Sequence, residues 1–438
     1  MLSRLILLFA LLGGLTSVWA LTPDQASAIA AGDSDDRIKA LNAVVATADP
    51  ALEAFVKALL DDALKTAGGQ ACLLLLRAAV LISSSDPAKR AAAAKALSGS
   101  RSLATRSLLL EKLGSEQDAK VKAAIQGALD SVQGQLVRGE RLGLLFTGAS
   151  LGSILLLVAL GLAITYGLMG VINMDHGELM MIGAYATYLV QNLFKLYLPG
   201  WFDWYIVLAI PAAFLASALV GAVLERSVIR WLYGRPLETL LATWGISLVL
   251  MQAVRSLFGA QNVGVENPSW MSGGIQVLPN LVLPYNRLAI LVFAALMLLG
   301  MAALIGKIRL GLFVRGVTQN RRMASCVGVN TARIDMLAFS LGAGIAGLAG
   351  CALSQVGNVG PDLGQGYIVD SFMVVVLGGV GQLAGTVYAA LGLGILNKLL
   401  EGWAGAVLAK IMVLVFIVVF IQKRPQGIFA VKGRSAEI

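Results

Sequence analysis

Two apolar stretches near the C-terminus flank residues 355–370, which read Gln-Val-Gly-Asn-Val-Gly-Pro-Asp-Leu-Gly-Gln-Gly-Tyr-Ile-Val-Asp, and a glycine-rich run from Gly378 to Gly385 follows. Non-helical backbone cannot face hydrocarbon, because each unpaired N–H or C=O there costs several kcal/mol. Such a segment at membrane depth must be buried in protein or line a polar cavity. It therefore reads as part of a route through a membrane, or as the lip of one.

A membrane setting follows from the remainder of the chain. Apolar residues make up 58% of the 438 and charged residues only 13%, against about 25% charged in soluble domains. The net charge of +9 does not indicate nucleic acid, since the basic residues gather in short loops between apolar runs, as in cytoplasmic loops of membrane proteins. Cys72, Cys326 and Cys351 lie far apart without metal-ligand or disulfide spacing, so no metal is expected.

Residues 1–20 combine Arg4, an apolar core from Leu5 to Leu15 and the small terminus Val18-Trp-Ala20. This pattern predicts a signal peptide cleaved after Ala20, with an uncleaved anchor as the alternative. Residues 21–138 are then exported, which in a bacterium means periplasmic. Their apolar positions, such as Ile38, Leu41, Val44 and Val45, recur at helical spacing. Asp49-Pro50, Asp86-Pro87 and Ser115 ahead of Asp118 mark helix starts. The stretches 86–97 and 118–129 resemble each other, which suits either HEAT-type hairpins or an irregular helical bundle.

From Leu142 onward the apolar runs reach membrane length, about 20 residues each. Nine spans are expected, near 142–165, 176–196, 204–225, 238–257, 288–306, 335–354, 368–382, 384–400 and 404–422, the seventh and eighth short and glycine-punctuated. The fold class is thus all-α: a polytopic helical bundle at 139–438 behind an exported helical domain. The basic loops carry Arg226, Arg230 and Arg235, then Lys307, Arg309, Arg315, Arg321, Arg322 and Arg333, then Lys423, Arg424, Lys432 and Arg434. The positive-inside rule makes these cytoplasmic and places the C-terminus inside. The loop at about 306–334 suits a small surface helix that docks a soluble partner, with Arg315, Arg321, Arg322, Met323 and Val327 as coupling candidates. A merely topogenic loop would need the arginines but not the Met323-Ala-Ser-Cys-Val-Gly328 sequence.

Residues 170–185, Gly-Val-Ile-Asn-Met-Asp-His-Gly-Glu-Leu-Met-Met-Ile-Gly-Ala-Tyr, together with the 315–330 loop, resemble the branched-chain amino-acid (LivH-type) permeases of ABC importers. Residues 234–245, 357–365 and 422–429, and the exported extension, resemble more closely the urea-importer branch of that family. Asp175 departs from it, standing where the family carries a small residue. The resemblance, from about Gly143 to Phe429, implies a bacterial inner-membrane permease subunit. Its partners would be a second, different permease subunit, cytoplasmic ATPase subunits and an exported substrate-binding protein. It also implies no cofactor of the chain's own, ATP being used by the partner subunits. The nearest P-loop-like sequence, Gly300 to Lys307, has five residues before Gly306 and Ile308 after the lysine, so it is not one, and no catalytic residues are expected.

Asp175, His176 and Glu178 begin the second span. They suit a helix-start lock, with Asn173 as cap and the carboxylates complementing the helix dipole, or else direct solute contact or a proton relay. Urea, small and neutral, needs amide and hydroxyl partners along its path, and Asn173, Thr243, Gln355, Asn358, Gln365 and Gln382 are the candidates. The alternatives are a branched-chain amino-acid or short-amide permease and, in a different class, an ATP-independent channel or a membrane scaffold.

Overall fold

A computed structural model describes residues 78, 81–82, 86–100, 103–170, 173–233, 235–278, 281–379, 381–424 and 427–429. The expected signal peptide, the positions Ile38 to Val45, the helix start at Asp49, Cys72, Lys432 and Arg434 lie outside the described residues. The chain divides into two compact units, 1–139 and 140–438.

In the first unit, α1 (Pro87–Leu97) opens on Asp86, whose carboxylate accepts from Ala88 N at 2.9 Å, with Pro87 in the first helical position. Helix α2 (Leu103–Ser115) follows, then α3 (Ala119–Met169), capped by Asp118, which accepts from Lys120 N at 2.8 Å. Ser115 does not open a helix as expected. It ends α2, its hydroxyl donating back to the Glu111 and Lys112 carbonyls. Ala94, Leu97, Leu109, Ile125 and Val132 form the core, and the Arg90 guanidinium grips Glu116 with bonds of 2.8 and 2.9 Å.

The second unit takes α3 from Glu140 onward. It continues through α4 (His176–Tyr197), α5 (Tyr205–Ser227), α6 (Pro236–Phe258), α7 (Tyr285–Lys307), α8 (Arg309–Gln319), α9 (Arg321–Cys326), α10 (Thr331–Ser354), α11 (Leu363–Gly378), α12 (Leu383–Ala404) and α13 (Ala406–Lys423). Among the described residues seven helical stretches are long and apolar enough to cross a membrane, those of α3, α5, α6, α7, α10, α12 and α13. The other two expected segments correspond to α4 and α11. Helix α4 has the length but is less apolar than the seven, with Glu178, Gln191, Asn192 and Lys195 among its residues, and the 16 residues of α11 extend about 24 Å, short of the ~30 Å hydrocarbon core. Helix α11 also starts earlier than 368 and ends before 382, because Gly379 and Gly381 take φ of 98° and 81° and turn the chain into α12.

Helices α4, α5 and α10 form the centre of the bundle, with Ala184, Ala213, Ala343, Ala346 and Ala349 fully enclosed. Small residues permit such approach where lipid offers no hydrophobic gain. Among the described residues the all-α expectation has one exception, a hairpin of β1 (Gly274–Leu278) and β2 (Leu281–Pro284). Its strands, Gly-Ile-Gln-Val-Leu and Leu-Val-Leu-Pro, carry Gln276 as their one polar side chain.

Candidate functional site

The chain enters α4 through a break. Gly170, at φ 68°, follows the end of α3, and α4 starts at His176. His176 then lies against α3 well before that helix ends at Met169, its Nε2 at 3.2 Å from the Val158 carbonyl. A carbonyl only accepts, so Nε2 carries a proton, and on the neutral ring Nδ1 is then an acceptor. The α4 N-terminus is therefore at membrane depth, well inside the end of α3.

A second helix begins at the same place. The Cα atoms of Gly177 in α4 and Gly364 in α11 meet so closely that a Cβ on Gly177 would lie 2.6 Å from the Gly364 carbonyl oxygen. Two helix N-termini, each equivalent to about half a positive charge, converge on one point. Acidic side chains gather there. Asp175 is fully buried, Glu178 is 1% exposed, and Asp362 precedes α11 on the more exposed side, paired with Arg255 of α6. The dipoles offset part of the cost of burying these charges.

Helix α6 supplies the facing wall. Thr243 Oγ1 accepts from Met174 N at 3.2 Å, and one turn later Ser247 Oγ donates to Glu178 Oε1 at 3.0 Å. Thr239, Thr243 and Ser247 stand at i, i+4 and i+8 on the buried face, each no more than 4% exposed. Sequence reasoning singled out Thr243 alone; the four-residue hydroxyl spacing was the available signal for Thr239 and Ser247.

Asn173 does not cap α4 as expected. Asp175 occupies the cap position with no side-chain capping bond, while Asn173 Oδ1 accepts the Asp175 N–H at 3.2 Å and closes a turn ahead of the helix. The structure thus brings together Asn173, Asp175, His176, Glu178 and Thr243. It does not bring the other path candidates there. Gln355 is buried in a separate network, with Tyr205 OH donating to its Oε1 at 3.1 Å and Asn286 donating to its carbonyl at 3.0 Å. Asn358 and Gln365 are exposed, and Gln382 is half-buried at the turn between α11 and α12. Beside Asn358, Val359 pairs with Val263 through two backbone bonds of 2.8 Å, tying the loop after α10 to the loop after α6.

The expected surface helix is two helices. Asn320, extended at φ −152°, separates α8 from α9 and caps the latter, accepting from Met323 N at 3.0 Å. Val314 and Val317 of α8 are buried. Arg315 turns back to the Gly311 and Ile305 carbonyls, and Arg321 pairs with Asp335 and covers the Tyr233 ring. Arg322 is exposed, and Met323 and Val327 are 59% and 79% exposed, an apolar pair facing outward.

An apolar helical bundle interrupted at membrane depth by a polar, two-helix break defines the class of multi-pass membrane transport proteins. Residues 144–421 match the family described as branched-chain amino acid transport system / permease component, and the chain belongs to that family. It is 28% identical over 295 residues to the high-affinity branched-chain amino acid transport system permease protein LivH of Escherichia coli K12, covering 65% of this chain and 94% of that protein. Against BraD of Pseudomonas aeruginosa, described in the same terms, identity is 29% over 294 residues, with the same coverage. LivM of Salmonella typhimurium is 26% identical over 306 residues, covering 64% of this chain and 68% of LivM. No solved structure matches the chain.

Proposed function

We propose that this chain is the membrane-spanning subunit of an ATP-driven urea importer of the bacterial inner membrane. The solute passes the break where α4 and α11 begin. The observation that carries this reading is the enclosed polar cluster of Asn173, Asp175, Glu178, Thr243 and Ser247 inside an otherwise apolar bundle. Charges at such depth are costly and mark pathways. Energy comes from separate ATPase subunits that dock on α8 and α9, where Met323 and Val327 offer an apolar knob for a groove. A second, different permease subunit and an exported binding protein complete the assembly.

In this reading α4 and α11 join the seven long helices to make nine membrane segments. The α6–β1 loop and Asn358 face outside, the α7–α10 connection faces the cytoplasm, and the C-terminus lies inside. The N-terminal unit is then an exported helical domain behind a signal peptide. Asn358 and Gln365 lie toward the outer mouth, which the Val263–Val359 pairing closes.

A second reading, a branched-chain amino-acid permease, is favoured by the names of the relatives. The two separate by uptake. The assembled importer, reconstituted with its binding protein and ATP, is expected to accumulate labelled urea and not leucine. Leucine accumulation would establish the second reading. Solute flux that is indifferent to ATP would make the chain a channel.

A further inference from the structure

Five buried side-chain atoms at the start of α4 have no hydrogen-bond partner: Asn173 Nδ2, Asp175 Oδ1 and Oδ2, His176 Nδ1 and Glu178 Oε2. Buried polar groups are paired in native proteins, so a set of orphans in one turn of chain calls for a missing partner. Asp175 and His176 are 0% exposed and Glu178 1%. Asp175 and Glu178 are three residues apart at a helix start, which places them on one face. The Asn173 amide lies beside the Asp175 carboxylate without reaching it in hydrogen-bond geometry.

The chemistry of the set is lopsided. With His176 Nε2 donating to Val158 and the ring neutral, Nδ1 is an acceptor, so with both carboxyls ionised four of the five atoms accept and only Asn173 Nδ2 donates. Helix dipoles stabilise the carboxylates but supply no side-chain donor. We infer that this turn is a binding site for a small solute that presents several N–H groups, at most one carbonyl-type acceptor and no anionic group. The solute is held by Asp175, Glu178 and His176 with Asn173 on its acceptor, and walled by Thr243 and Ser247 of α6. Urea, with four N–H and one C=O, fits this balance, and guanidinium fits the four acceptors. A zwitterionic amino acid does not, because its carboxylate would meet two others. This inference rests on the permease reading above and deepens it.

The test uses the complete importer in proteoliposomes with internal ATP, following labelled urea, with guanidinium and leucine as competitors. Asp175→Asn and Glu178→Gln keep size while replacing acceptor atoms by donors. Each is expected to raise the KM for urea at least tenfold, with the melting temperature within a few degrees of wild type and urea affinity of the binding protein unchanged. Guanidinium is expected to compete in the wild type and at least tenfold less in Glu178→Gln; leucine is expected to compete in neither. Ser247→Ala removes only the hydroxyl that holds Glu178 and covers the case where the carboxamide variants do not fold; it is expected to raise KM several-fold. Wild-type urea uptake with all foldable variants within twofold of it would overturn the site while leaving the permease reading intact. A wild-type importer with no ATP-driven urea uptake would overturn both the site and the urea reading.

Discussion

Gly161→Ala measures how tightly the bundle depends on bare backbone near the break. A Cβ at Gly161 would lie 2.6 Å from the Gly342 carbonyl oxygen in α10 and 2.8 Å from His176 Nε2. An ordinary contact needs about 3.4 Å, so α3 and α10 must part by most of an ångström, and the imidazole must shift as well. Overpacking of this kind costs about 1–3 kcal/mol. Alanine returns up to ~1 kcal/mol of helix propensity, which leaves a net loss of up to about 2 kcal/mol. Gly245→Ala is the matched control: also mid-helix, with nothing within 4 Å of its Cβ, it collects the propensity gain alone. Thermal melting of both variants in one detergent should place Gly161→Ala below wild type and Gly245→Ala at or above it. Equal melting of the two would refute the packing argument, whatever the transport activity.

Three further outcomes follow from other parts of the molecule. In the first unit, hydrogen bonds from Arg90 and the local backbone hold the Glu116 carboxyl below its ordinary 4.5, so its contribution is present above that value and lost as pH falls through the lower, folded one. The melting difference between wild type and Glu116→Gln should accordingly be largest at neutral pH and shrink in acid; a difference that grows in acid contradicts the assignment. Met323→Asp with Val327→Asp should leave insertion intact but abolish solute-stimulated ATP hydrolysis, checked on the purified assembly, since charge would be forced into an apolar groove. Lys410 of α13 stands 3.8 Å from Asp370 of α11, so Asp370→Asn should lower the melting temperature and adding Lys410→Met should restore it. The loss should stay below the about 2.5–3.5 kcal/mol assigned to a lysine at a helix centre, because the Lys410 side chain is 59% exposed and can reach outward.

Much of the architecture was legible because apolar length is a local property. The runs at 204–225, 238–257, 288–306, 335–354, 384–400 and 404–422 each became a helix of nearly that extent. The break at 170–178 was also visible, since Asp175, His176 and Glu178 are conspicuous in an apolar chain. Its partners were not. Ser247 meets Glu178 across 69 residues and Gly364 meets Gly177 across the bundle, contacts that depend on helix packing and leave no local pattern. Neutral polar residues were the weakest guide. Gln355 and Asn358 are neighbours in one loop, yet one is locked to Tyr205 and Asn286 and the other is exposed. The connecting helix between α7 and α10 read as one element because Asn320, which splits it, acts through a single side-chain cap.

The most direct test of a route through the break between α4 and α11 is solute protection at Ser247. With Ser247→Cys in a cysteine-free chain, assembled with its partners in proteoliposomes, a small thiol reagent should reach position 247 during ATP turnover. Urea should slow that reaction several-fold while leucine leaves it unchanged. Trp244→Cys, on the exposed side of the same helix, should react at a rate indifferent to urea. A thiol at 247 that stays unreactive while urea is transported, or that reacts equally fast with and without urea, would contradict the account.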